Sequence, residues 1–291
     1  MKVLKFGGTS VGSAQRMKDV AKLICDGQQK IVVLSAMSGT TNTLVEIADY
    51  LYKKNPVSAS EVINNLEHKY QAVIDELYSK DSTKKQATET LKNNFDLLRS
   101  FTKNDFFTMF EEKTILAQGE LMSTAMVNLY LQETGVKSVL LPALDYMRID
   151  KNNEPDSAFI REHIKKELAK LPKDTEIYIT QGYICRNAYN EIDNLQRGGS
   201  DYTASLVGAA IKSDEIQIWT DIDGMHNNDP RFVENTKPVA NLHFEEAAEW
   251  LTSVPKYCTR PASCPPSWKA FPSACSTPWT PKPPARSSRT S

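Results

Sequence analysis

Long apolar runs are missing from this chain. Nowhere in its 291 residues do apolar side chains continue for the roughly 20 positions that a bilayer-spanning helix needs. Its start, Met1-Lys2-Val3-Leu4-Lys5, leads straight into a glycine turn with no apolar segment of the signal-peptide kind, so a cytoplasmic protein with no membrane partner is expected. Net charge is missing as well. Lys and Arg number 35 against 36 Asp and Glu, a formal charge of −1, so nothing global attracts nucleic acid and any basic site has to be local. The five cysteines, Cys25, Cys185, Cys258, Cys264 and Cys275, follow neither CxxC nor Cys/His metal spacing. No metal site is expected from them, and at least Cys25 and Cys185 are expected as free thiols. Walker A and GxGxxG patterns are absent too, so no single phosphate motif names the chain.

What remains is ordinary folded-chain composition, 40% hydrophobic and 24% charged, in a length that suits one large α/β domain or two small ones. The focal stretch is Gln196-Arg197-Gly198-Gly199-Ser200-Asp201-Tyr202-Thr203-Ala204. Glycines there let backbone N–H groups approach a ligand, and the helix that follows favours anions at its N-terminus. Taken alone, Gly-Gly-Ser-Asp serves equally well as a turn and N-cap.

Strands and helices alternate along the chain. Val3-Leu4-Lys5-Phe6 reads as a strand entering Gly7-Gly8-Thr9-Ser10, and Met17, Val20, Ala21 and Ile24 then recur at helical spacing. Ile31-Val32-Val33-Leu34 is an apolar run of the parallel-sheet kind. It empties into Ser35-Ala36-Met37-Ser38-Gly39-Thr40-Thr41-Asn42, and a helix over 44–52 follows. A second small-residue loop at the carboxyl end of a strand strengthens a ligand-binding reading of the first. Residues 57–115 change character, with one helical stripe on Val62, Leu66, Tyr70, Val73, Ile74 and Leu77 and another on Leu91, Phe95, Leu98 and Phe101. Leu116-Ala117-Gln118-Gly119-Glu120-Leu121 then opens a helix through Leu131, where Glu120 is either a site carboxylate or a dipole complement at a helix start. Further strands are expected at Val139-Leu140-Leu141, Glu176-Ile177-Tyr178-Ile179-Thr180 and Ile216-Gln217-Ile218-Trp219. Helices are expected over 156–170 and 202–211, with a hairpin or surface loop over the site at 187–194. The loop from Thr220 to Arg231 has acidic residues at alternate positions but lacks the EF-hand order and its terminal Glu.

Taken together, Lys5-Phe6-Gly7-Gly8-Thr9-Ser10-Val11, Leu34-Ser35-Ala36-Met37-Ser38-Gly39, Gly119-Glu120, the Arg197 to Ala204 stretch, Trp219-Thr220-Asp221 and Asp229-Pro230-Arg231 resemble, in order and spacing, the aspartokinases of the amino acid kinase family. The resemblance covers about 1–249. It implies a three-layer α/β/α sandwich with a mainly parallel central sheet and a helical excursion at about 57–115. It also implies phosphorylation of L-aspartate by ATP with Mg²⁺. Carried over by position, Lys5, Gly7 and Gly8 hold the transferring phosphoryl group and Asp201 organises Lys5. Thr41, Glu120, Arg197 and Ser200 hold aspartate, and Thr220, Asp221 and Arg231 contact ATP. Two positions depart from the family pattern: His226 stands where a Tyr is usual, and Gln196 replaces a Gly. The resemblance leaves open a homo-oligomer, a place at the N-terminus of a bifunctional kinase–dehydrogenase, and a nucleotide-binding remnant without turnover.

Beyond Glu249 the composition breaks. Residues 251–291 hold nine of the fifteen prolines, three cysteines and six Lys or Arg, with no Asp or Glu. Codons for 252–261 can be written so that, read one base earlier, they spell Tyr-Phe-Gly-Ala-Lys-Ile-Leu-His-Pro, and codons from Cys275 onward permit Leu-Leu-Asn-Thr-Met-Asp-Pro; both resemble aspartokinase segments. The expectation is a catalytic domain over 1–249, incomplete at its C-terminal end, followed by a disordered Pro-rich tail, 250–291, translated out of frame after loss of one base near codon 250.

Overall fold

Alternate residues of the central strands feed two separate cores. In β1 (Lys2–Phe6), Leu4 and Phe6 enter one core and Val3 the other; in β2 (Lys30–Leu34), Val32 and Leu34 join the first, Ile31 and Val33 the second. After β3 (Ser138–Leu140), β4 (Ile177–Gln181) repeats the division, with Ile177 and Ile179 on one side and Tyr178 on the other. The period of two is the pleat of the strand, and burial of both faces is why these segments read as unbroken apolar runs. The computed structural model describes residues 1–104, 106–195, 199–219, 235 and 237, and the backbone of Ser273–Ser276.

Helices α1 (Ala14–Ile24), α2 (Thr40–Tyr52), α3 (Pro56–Leu77), α4 (Asp81–Phe101) and most of α5 (Met109–Glu133) cover the first core. On the opposite face, α6 (Ala143–Tyr146), α7 (Ser157–Lys170) and α8 (Gly199–Ile211) enclose the second. The result is the expected three-layer sandwich. Apart from the sheet, β5 (Ile184–Arg186) and β6 (Ile192–Asn194) form the antiparallel hairpin expected around 187–194. With β7 (Ile216–Trp219) and β8 (Ser273–Ser276), the main sheet runs β3-β4-β2-β1-β7-β8, every neighbouring pair parallel. From β1 the chain first builds outward through β2 and later returns to β1's other edge with β7. That switch point is where open α/β sheets place ligands, outside the carboxyl ends of their strands.

The helical excursion consists of α3 and α4. Asn55 caps α3, its side chain accepting from the Ser58 N–H, and Pro56 sits at the first helical position. Leu91, Phe95, Leu98 and Phe101 are all buried, and the Tyr70 and Phe95 rings meet edge-on at 5.9 Å. On α3 the stripe is shifted slightly: Ala59 and Ile63 are buried, whereas Val62 and Val73 pack at its margin.

One expectation is corrected here. Helix α5 begins at Met109, seven residues before Leu116, because Thr108 and Glu111 form a reciprocal capping box. Glu120 therefore lies mid-helix, where the dipole offers a carboxylate nothing. The tail expected over 250–291 lies outside the described residues apart from Ser273–Ser276.

Candidate active site

Three loops converge at the carboxyl ends of β1, β2 and β4, and backbone hydrogen bonds knit them. The Ser35 N–H donates to Phe6 O at 3.2 Å, Ser38 N–H to Gly8 O at 3.2 Å and Gly182 N–H to Leu34 O at 2.9 Å. Two glycines permit the approach. A Cβ on Gly8 would stand 2.8 Å from Ala36 O, and one on Gly182 would stand 2.2 Å from Ser200 Oγ, so close packing of loop on loop requires both. The cleft they frame has a volume of about 530 Å³, with Gly8, Thr9, Ser38, Thr41, Glu120, Tyr183 and Ser200 among its walls.

Lys5 shares its strand face with Val3, the face covered by α8, and so its side chain reaches the first turn of that helix. Its Nζ lies 2.6 Å from Asp201 Oδ1, with the Lys5 side chain 12% exposed and that of Asp201 55%. A Cβ on Gly7 would be 3.5 Å from the same Nζ, so the glycine leaves the ammonium an open flank. Ser200, next to Asp201, is buried and accepts a 2.8 Å hydrogen bond from Ser35 Oγ.

Glu120 is 4% exposed and accepts the Ala36 N–H at 3.2 Å. Burial pushes its carboxyl up to about 7, and the Ala36 hydrogen bond opposes that rise only in part. No ion pair engages it among the described residues.

The structure thus brings together Lys5, Gly7, Gly8, Thr41, Glu120, Ser200 and Asp201. Arg197, Thr220, Asp221 and Arg231, with Gln196 and His226, lie outside the described residues. Tyr183 was not legible as a site residue. It lines the cleft with φ of 67°, an unusual backbone for a bulky side chain, and its N–H donates to Thr203 Oγ1 at 2.9 Å. Burial, with help from the nearby Glu120 and Asp193 carboxylates, pushes its phenol up to about 12. The only trace in the sequence is its place just after Gly182 at a strand end. The hairpin expected over the site is tied to α5 through Asp193 Oδ2 and Lys113 Nζ at 2.6 Å, and none of residues 187–194 is among the walls of the cleft.

Comparison with known proteins gives a consistent result. The profile of the amino acid kinase family matches residues 1–255. Lysine-sensitive aspartokinase 3 of Escherichia coli is 32% identical over 255 residues, covering 86% of this chain and 55% of that protein. The aspartokinase of Chlamydia trachomatis is 31% identical over 261 residues, covering 87% of this chain and 56% of its own length. Among solved structures, Escherichia coli aspartokinase III in complex with aspartate and ADP superposes with a TM-score of 0.82 at 29% identity, covering the whole of this chain and 65% of that one. The chain therefore spans little more than half the length of the curated relatives it matches.

Proposed function

The chain belongs to the amino acid kinase family, and from that premise we propose that it transfers the γ-phosphoryl group of ATP to the β-carboxylate of L-aspartate. The product is 4-phospho-L-aspartate, the first intermediate toward lysine, methionine and threonine. Glu120 carries the reading. A buried carboxyl that pairs with no cation among the described residues, in the same cleft as a glycine loop and near a Lys–Asp pair, matches a substrate that brings its own ammonium together with anionic groups. The bound aspartate and ADP of the Escherichia coli aspartokinase III structure support the same assignment.

In this reading Glu120 takes the α-ammonium, Arg197 grips the α-carboxylate in bidentate fashion, and Thr41 and Ser200 complete the amino-acid subsite. Thr220, Asp221 and Arg231 hold the nucleotide. Lys5, kept in place by Asp201, and the N–H groups around Gly7 and Gly8 face the transferring phosphoryl group. One β-carboxylate oxygen attacks the γ-phosphorus while the bond to the bridging oxygen breaks, and ADP departs with that oxygen and its electron pair. A carboxylate is already ionised near neutral pH, so no general base is needed. Catalysis rests on in-line positioning and stabilisation of spread charge. Mg²⁺ would enter on the nucleotide phosphates and supply charge neutralisation.

The test is aspartate-dependent ADP formation with hydroxylamine present, which traps an acyl phosphate as its hydroxamate. ADP release independent of aspartate, or no hydroxamate, sinks the assignment. A second reading, a nucleotide-binding remnant without turnover, is favoured by the composition break after Glu249 and by a family match that stops at residue 255. ATP binding seen by calorimetry with no phosphoryl transfer would select it.

A further inference from the structure

Two consecutive residues of α3 reach the loop that forms one wall of the cleft. Lys69 Nζ donates to Ser38 O at 2.9 Å, and Tyr70 Oη hydrogen-bonds Thr40 Oγ1 at 3.1 Å in a fully buried contact. Within the bridged segment the Thr40 N–H donates to Met37 O at 2.9 Å, and the two α3 side chains add bonds from outside. Gly39 lies between the two anchors at φ of 80°, and only there does the chain turn from the loop into α2. The excursion also reaches α5, the helix that carries Glu120, where Asn94 of α4 donates to Gln118 Oε1 at 2.8 Å. The α3 contacts thus fall on the Ser38 to Thr40 wall of the proposed amino-acid subsite, and neither Lys69 nor Tyr70 pairs with Lys5 or Asp201.

We propose that the α3–α4 excursion is the positioning frame of the amino-acid subsite, with Lys69 and Tyr70 as positioning residues for the Ser38 to Thr41 segment. This deepens the aspartate reading and rests on it. Lys69 has a role beyond geometry. An ammonium on the carbonyl of the Ser38–Gly39 peptide polarises the N–H of that peptide, which belongs to Gly39 in the cleft wall, and strengthens it as a donor to an anionic substrate. Tyr70 is locked by burial and by its edge contact with Phe95, so its hydroxyl presents a fixed partner to Thr40.

The experiment compares the full chain with Lys69→Met, Lys69→Arg and Tyr70→Phe, reading amide exchange of residues 38–42 and calorimetric affinity for aspartate and for ATP separately. Lys69→Met should speed exchange at 38–42 while β2 stays protected, and weaken aspartate about tenfold with ATP changed less than twofold, the loss expected for one charge-assisted contact. Lys69→Arg should restore both, and Tyr70→Phe should speed exchange in the same segment. Unaltered exchange at 38–42 in Lys69→Met overturns the frame, as does equal weakening of aspartate and ATP. A parent chain that binds no aspartate sinks the substrate assignment instead, and the exchange comparison then decides the frame by itself.

Discussion

Charge placement at single residues sets the chemistry. Lys5 and Asp201 meet at 2.6 Å from different elements, and neither is proposed to touch aspartate's ammonium or α-carboxylate. Lys5→Ala and Asp201→Ala should therefore lower turnover by about a hundredfold or more while leaving aspartate affinity nearly unchanged. Steady-state kinetics that show a raised KM at full turnover would reverse the roles. Glu120 behaves differently because it titrates near neutrality. With its carboxyl at about 7, the empty site is half protonated at pH 7, whereas an aspartate ammonium needs the charged form. Aspartate affinity should rise about tenfold from pH 6 to pH 8, and binding should release a proton, measurable from the buffer dependence of calorimetric heats. Stability runs the other way. The folded chain holds this proton more tightly than the unfolded chain, so between 4.5 and about 7 the folded state loses stability as pH rises, and the loss is complete above 7. Glu120→Gln removes that burden. The ligand-free variant should melt above the parent at pH 8, by on the order of 3 kcal/mol at most, with the gap gone below pH 4.5. A gap that ignores pH would show that Glu120 is not the group responsible.

Elements show where pattern suffices and where it fails. The strands were legible because parallel-sheet burial makes unbroken apolar runs, and α4 because its single buried face repeats at helical spacing. Helix α5 hid its first two turns. From Ile115 to Leu131 it is buried nearly all round, but Met109 to Thr114 are exposed or half-buried and carry no apolar stripe, so the Thr108–Glu111 capping box was the one usable signal of its start. Helix α2 begins at Thr40, four residues before Leu44, since Thr40-Thr41-Asn42-Thr43 are weak helix formers carried by the loop contacts. Lys30 is another case: an ordinary charged strand end in the sequence, it is buried, with Nζ donating to Ile24 O at 2.9 Å and paired with Asp26 at the end of α1. Gly119 tests how α5 meets the substrate loop. Propensity alone makes Gly→Ala within a helix stabilising by up to about 1 kcal/mol. Here the new Cβ would stand 2.8 Å from Ala36 Cβ and 3.3 Å from Leu44 Cδ1, so sterics should win and Gly119→Ala should cost about 1–3 kcal/mol. Because Ala36 also donates to Glu120, the same variant should lose aspartate affinity. Denaturant melts that show a gain in stability would mean the loop yields without strain.

For the whole molecule, the open question is the sheet edge beyond β7. Loop–strand–helix order made the α/β/α class and the cleft legible from 1–219, but no pattern in 250–291 identified a strand, and its backbone is described only at Ser273–Ser276, paired in parallel with β7. Ser-Ala-Cys-Ser brings no β-branched or aromatic side chain to the edge next to Ile216, Ile218 and Trp219. We propose that 250–291 are read out of frame, and that the shifted frame supplies what this edge lacks. Its codons permit Leu-Leu from the position of Cys275, and each leucine fully buried against a sheet contributes roughly 1.5–3 kcal/mol. The same frame adds a lysine in Tyr-Phe-Gly-Ala-Lys that, by family resemblance, faces the nucleotide. Inserting one base at codon 250 should therefore raise the melting temperature and soluble yield of the resulting chain and increase aspartate-dependent ADP formation together. A gain in activity without a gain in stability would locate the defect in the lysine alone. Equal stability and equal activity in the two chains would make 250–291 a native end of the domain, with β8 an authentic edge strand built from small residues.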